Sequence, residues 1–155
     1  MIGIEEIPVE NIQDFFKIHI EYLIEGKFIT SQEDIDYFSG DEYREIIKSH
    51  MIRDKDKHHM IYFVKDNHRI GAAQYNTYQS EDGKCFILDY WLFNNYRGKG
   101  LGVECFKSLE AYTKSDGAIY YELNSHQKES INFWQSVGFV YKGLDEYEEM
   151  LWIKK

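Results

Sequence analysis

The chain opens on an alternation, Ile2-Gly3-Ile4-Glu5-Glu6-Ile7, which predicts a first strand. Phe15, Ile18, His19, Tyr22 and Leu23 then recur at helical spacing. They predict a helix to about Glu25, capped by Asn11 or Asp14. Ser31 to Ile52 reads as one or two further helices, broken at Gly40. The stretch with Asp54, Asp56 and His58-His59 reads as a linker before a strand. His59–Lys65 and Ile70–Tyr78 read as two strands, with Asp66–His68 as the hairpin between them. Ser80–Lys84 is a second turn, and the nearly all-apolar Cys85–Phe93 is the next strand. A helix follows from Gly100 to about Ser115, with Leu101, Cys105, Leu109 and Tyr112 on one stripe and Gly117 as its stop. Ala118–Leu123 reads as a strand. Lys128–Val137 reads as a helix with Ile131, Trp134 and Val137 inward, and Phe139–Leu144 and Glu148–Lys154 as closing strands. The order β-α-α-β-β-β-α-β-α-β-β predicts a mixed α/β domain with a largely antiparallel first half.

Length and composition narrow this picture. The 155 residues suit a single domain over 1–155, and no Pro/Ser-rich linker or repeat divides them. Apolar residues make up 43% and aromatic residues 17%, enough for a packed core. No apolar run is long enough to span a membrane. The acidic start lacks the features of a secretory signal, and Cys85 and Cys105 have neither metal-type spacing nor a disulfide pattern. A cytoplasmic protein is expected. The net charge is -9. That acidity argues against a nucleic-acid partner. Residues 94–107 reverse the sign, with Arg97, Lys99 and Lys107 against Glu104. A positive spot on an acidic protein suggests a small anionic ligand.

That spot is the stretch NNYRGKGLG, Asn94 to Gly102. A strand that runs into a glycine-rich turn opening a helix presents unpaired amides and the positive end of the helix dipole. A diphosphate fits such a site. The turn is not a P-loop, because Leu101 follows Gly98-Lys99-Gly100 where Lys-Ser/Thr is required. It is not a dinucleotide fingerprint either, because Val103 stands at the third glycine. It does satisfy [QR]-x-x-G-x-[GA] through Arg97, Gly100 and Gly102. On these residues the segment resembles the coenzyme A pyrophosphate loop of the GNAT superfamily of N-acetyltransferases. INFWQSVGFVYKG, Ile131 to Gly143, is similar to that family's C-terminal AxxxYxxxGF segment.

The resemblance implies the GNAT fold: a mixed, mostly antiparallel sheet of about seven strands with about four helices, splayed between strands four and five. It implies acetyl-CoA as co-substrate, no metal, and an amine acceptor. The amides of Arg97, Gly98, Lys99, Gly100, Leu101 and Gly102 would hold the pyrophosphate. The strand edge at Trp91, Leu92 and Phe93 would pair with pantetheine. Leu92 matches the position at which a bulge splays the fourth strand, and its N–H would hold the acetyl oxygen. Gln127 and Asn132 would face the cofactor. Trp134 stands where the family often places a tyrosine that protonates the leaving thiolate. An indole cannot serve as that acid. Either another group does so, with Tyr141 one candidate, or the thiolate leaves unaided.

For the base, Asp89 is the only charge in its apolar strand, and Glu122 is the same case in the next. Each reads either as a proton acceptor or as a structural hydrogen-bond acceptor. Cys105 reads as core. His126 reads as a loop residue that could line the acceptor site. Residues 21–45 carry eight acids against Lys27 and Arg44, interleaved with Tyr22, Phe28, Tyr37, Phe38 and Tyr43. This suits a cationic amine. Two functions stay open: acetyl transfer to a small cationic molecule or peptide, and a non-catalytic acyl-CoA-binding module on the same fold. A homodimer is also left open.

Overall fold

A computed structural model describes Met1–Lys155. Its elements are β1 (Gly3–Glu6), α1 (Gln13–Glu25), α2 (Gln32–Phe38), α3 (Asp41–Met51), β2 (His58–Lys65), β3 (His68–Tyr78) and β4 (Lys84–Leu92), then α4 (Leu101–Lys114), β5 (Tyr120–Asn124), α5 (Lys128–Ser136), β6 (Val140–Leu144) and β7 (Met150–Lys154). Short 3-10 turns occupy Val9–Asn11 and Asn94–Tyr96. The seven strands form one sheet in the order β1-β2-β3-β4-β5-β7-β6. Every neighbouring pair is antiparallel except β4 and β5. No helix is long and apolar enough to cross a membrane.

Each sheet face is buried by its own helices. Leu101, Cys105, Phe106 and Leu109 of α4 and Trp134 of α5 join Cys85, Ile87, Tyr121 and Leu123 in the larger core. Phe15 and Phe16 of α1 and Ile47 of α3 join Met60, Tyr62, Ala72 and Trp91 in the smaller one. β3, central in the first half, is covered on both faces, and its alternation is correspondingly weak.

β4 decides where the site lies. It pairs with β5 only from Lys84 to Ile87, opposite Tyr120 to Leu123. Beyond Ile87 its edge on that side is open. On its other side the ladder to β3 runs Tyr75↔Ile87 and then Gln74↔Asp89, so Leu88 is an extra residue without a partner. A one-residue bulge reverses the alternation of side chains. Cys85 and Ile87 face α4, and after Leu88 it is Tyr90 and Leu92 that pack there. Asp89 and Trp91 turn to α1 instead. The sequence reading put this bulge at Leu92; it lies four residues earlier. The shift has a physical reason: without it Asp89 would share the face of Ile87 and enter the larger apolar core.

Other expectations need adjustment. Neither Asn11 nor Asp14 caps α1. Ile12 takes that position without a side-chain bond, and Asp14 sits in the first helical turn. Gly40 does separate two helices, making five in all. His58 is not linker but the buried first residue of β2.

Candidate active site

The turn between β4 and α4 is built from glycine backbone. Gly98 and Gly100 have φ of 73° and 77°, left-handed values that favour glycine. A Cβ added at either would meet no protein atom, so both positions border open space. Gly100 is the N-cap of α4 and no side chain caps it. None of the protein's loop and cap hydrogen bonds uses an amide from Gly98 to Val103 as donor. Four successive first-turn amides therefore converge unpaired, at the positive end of a 14-residue helix. At Gly102 a Cβ would approach Phe133 of α5 to 3.0 Å, so the absence of a side chain lets the two helices close up.

The open edge of β4 continues this donor surface. The Phe93 N–H donates to the Ile70 carbonyl of β3 at 2.9 Å. Peptide direction alternates along a strand. The Leu92 N–H and C=O therefore point away from β3, into the gap that β5 leaves. Arg97 confirms the direction, because its Nε donates to the Leu92 carbonyl at 2.8 Å. Arg97 also lies 3.5 Å from Glu25 at the end of α1.

A cleft of about 460 Å³ runs between these amides, the β4 edge, the end of α1 and α5. Trp91, Leu92, Arg97, Gly98, Gly100, Gly102, Gln127 and Trp134 line it. Phe93 lines a smaller hollow beside it. Lys99 Nζ donates to the Asn95 carbonyl at 3.1 Å, while Leu101 points into the larger core. Asn132 is exposed and lies outside the cleft. Gln127 donates to the Gly26 carbonyl at 3.1 Å, tying α5 to the end of α1. Trp134 is buried among Tyr90, Phe106, Phe133 and Phe139.

Across β4, Asp89 is the acceptor of a buried polar chain. His19 Nε2 and Gln74 Nε2 each donate to its Oδ2 at 2.9 Å. Gln74 Oε1 then faces His58 Nε2 at 2.7 Å, so that nitrogen carries the hydrogen. His58 Nδ1 lies 3.1 Å from the Asn76 side-chain amide. Burial pushes the His58 imidazole down to about 4, so it is neutral at ordinary pH. His19 is 2% exposed and boxed by Phe15, Phe38, Tyr43 and Trp91. Asp89 is 17% exposed, and its Oδ1 takes no protein donor. It lines a cavity of about 130 Å³ that shares Tyr22, Phe28, Tyr90, Ser130 and Trp134 with the main cleft. His126 lines the same cavity.

Glu122 stands apart from this cluster. It lies in a groove of about 560 Å³ on the α3 side of the sheet, 3.5 Å from Lys142 and 4.0 Å from Lys84. Tyr141 is half exposed on β6, packs on Trp152 and lines neither the cleft nor the Asp89 cavity. The eight acids of residues 21–45 are all exposed, and Glu25 alone among them lines the main cleft. No group of three or more His, Cys, Asp or Glu side chains is arranged to hold a metal ion.

Sequence reasoning missed Phe133, which stacks on Tyr90 and lines the cleft. Its signal was the width of the α5 apolar arc, since Phe133 beside Ile131, Trp134 and Val137 is more than one seam needs. Reasoning also missed His19 and Gln74, which meet Asp89 across 70 and 15 residues of chain.

The family model described as "Acetyltransferase (GNAT) family" matches residues 14–139. No curated relative matches the sequence. Several solved structures share the fold. The PaiA N-acetyltransferase of Thermoplasma acidophilum, solved with coenzyme A, is 19% identical with a TM-score of 0.75; the match covers 100% of this chain and 99% of that one. A GNAT-family acetyltransferase of Staphylococcus aureus Mu50 is 11% identical with a TM-score of 0.68, over 99% and 98% of the two chains. An aminoglycoside acetyltransferase from an uncultured soil metagenomic sample, solved with sisomicin, is 14% identical with a TM-score of 0.61, over 88% and 86%.

Proposed function

The chain belongs to the acetyltransferase (GNAT) family, and from that premise we propose that it transfers the acetyl group of acetyl-CoA to a primary amine of a small cationic molecule or a peptide. The observation that carries this reading is the run of unpaired amides from Gly98 to Val103 at the mouth of a cleft whose other wall is the open edge of β4.

These residues suit the co-substrate. The turn amides offer donors to a diphosphate, with Arg97 and Lys99 adding charge. The outward peptide groups of Leu92 suit an extended chain of amides lying along β4, and its N–H is the donor for the carbonyl oxygen as it becomes an oxyanion. Acetyl-CoA supplies the activated acyl group. The acceptor nitrogen attacks the acyl carbon, a carbon–nitrogen bond forms, and the carbon–sulfur bond breaks with its electron pair on sulfur. Asp89 takes the proton that nitrogen sheds, on its free Oδ1. His19 and Gln74 fix the carboxylate by holding Oδ2. Glu25 at the cleft wall and the exposed acids around it give an approaching ammonium a favourable field.

Trp134 in the tyrosine position favours a second reading, a module that binds acyl-CoA without turnover. Thiol release from acetyl-CoA, followed over a panel of polyamines, aminoglycosides and peptide amines, separates the two. Turnover with any of them supports transfer. Calorimetric binding of coenzyme A without turnover on the whole panel supports the module.

A further inference from the structure

Transfer leaves one charge unattended, the sulfur that departs. Two tyrosines border the cleft, Tyr22 and Tyr90. The Tyr90 hydroxyl is committed to the Gly102 carbonyl, where it ties β4 to the start of α4. The Tyr22 hydroxyl is engaged by no protein group. Its ring lies flat on the Trp91 indole, 4.3 Å between centroids at 7°, and Phe28 packs against it at 5.1 Å. These contacts fix the plane of the ring. Tyr22 also lines the Asp89 cavity. It stands where the cofactor cleft and the base's cavity meet, within electrostatic reach of Asp89 on one side and Arg97 on the other.

Resting on the acetyl-transfer reading, we propose that Tyr22 is the proton donor to the departing thiolate, the role Trp134 cannot fill. It comes from α1 across the cleft, opposite the helix that carries Trp134. Burial, and then the Asp89 charge, push the phenol far up, so it is protonated at every working pH. The protons balance. Asp89 receives one from the attacking nitrogen, and sulfur receives one from the Tyr22 oxygen. Asp89 returns its proton to that oxygen, across the cavity they share, as the phenol gives its own to sulfur, so no free phenolate forms beside a thiol that is the stronger acid. Both groups finish as they began.

Tyr22→Phe tests this, since phenylalanine keeps the stack on Trp91 and removes only the hydroxyl. With the best amine of the panel, kcat falls about 100-fold while the Kd for coenzyme A, read by calorimetry, stays within about twofold. A second readout needs no turnover. The thiol of bound coenzyme A is titrated by the ultraviolet absorbance of its thiolate. In Tyr22→Phe its midpoint moves up by about one pH unit relative to wild type. Wild type that turns over, with Tyr22→Phe matching it, overturns the proposal alone. So does an unmoved thiol midpoint. Wild type that binds coenzyme A and acetylates nothing overturns the activity itself.

Discussion

On the α4 side of β4, what the protein offers a ligand is peptide: the amides of Gly98 to Val103 and the outward edge at Leu92. On the α1 side it offers side chains: Asp89, His19, Gln74 and Tyr22, drawn from three separate elements. The contrast teaches where each half is vulnerable. A backbone site tolerates exchange of most side chains and fails only when its geometry changes. A side-chain site fails when a single functional group is removed, even if no atom moves.

The largest expected effect falls on the side-chain half. Asp89→Asn keeps shape and removes the proposed base, so kcat falls about a thousandfold with the coenzyme A Kd unchanged by calorimetry. Comparable turnover in a folded Asp89→Asn protein would erase the contrast. Next comes the backbone half. Gly100→Val forces a β-branched residue into a left-handed φ of 77° and sends its methyls toward the cleft. Coenzyme A binding weakens about 300-fold, and unaltered affinity would place the diphosphate elsewhere.

Smaller again is a pH effect confined to the polar chain. His58 is held at about 4 in the fold, below the usual imidazole value of about 6.5. A group whose folded value is depressed binds its proton more readily when unfolded. Its contribution is therefore fully present above about pH 6.5 and drains away as pH falls through about 4. The loss is on the order of 3 kcal/mol. Denaturant unfolding across that window reads it, and His58→Gln flattens it. Smallest is Lys99→Ala. Its ammonium is exposed and bound to the Asn95 carbonyl, so coenzyme A affinity drops only about twofold. A loss as large as that of Gly100→Val would mean that charge, not peptide, holds the ligand.

The same contrast explains what could be read from the chain beforehand. The backbone half writes itself locally, because Arg97, Gly98, Gly100 and Gly102 stand together and left-handed turns demand glycine. The strand that feeds them and the helix that follows are equally local. Asp89 was visible as an isolated charge in an apolar run. Its partners were not, since His19 looked like one more residue on a buried helical stripe, and His58 looked like part of a charged linker. Only the sheet register brings them together. The acids of residues 21–45 misled in the other direction. Their density suggested a lining, yet α2 and α3 turn them to solvent because their aromatic neighbours Phe38 and Tyr43 occupy the inner face.

The extra residue at Leu88 carries a consequence for how this segment can change over time. It is 47% exposed and packs in neither core, so its identity matters little. Its presence matters greatly. Deleting it would leave Asp89 opposite Gln74 and Tyr90 toward α4, but it would straighten the strand and remove the bend at the point where β4 parts from β5. Drift by point substitution is open at Leu88 itself; loss of its codon is not, because the open edge of β4 begins there.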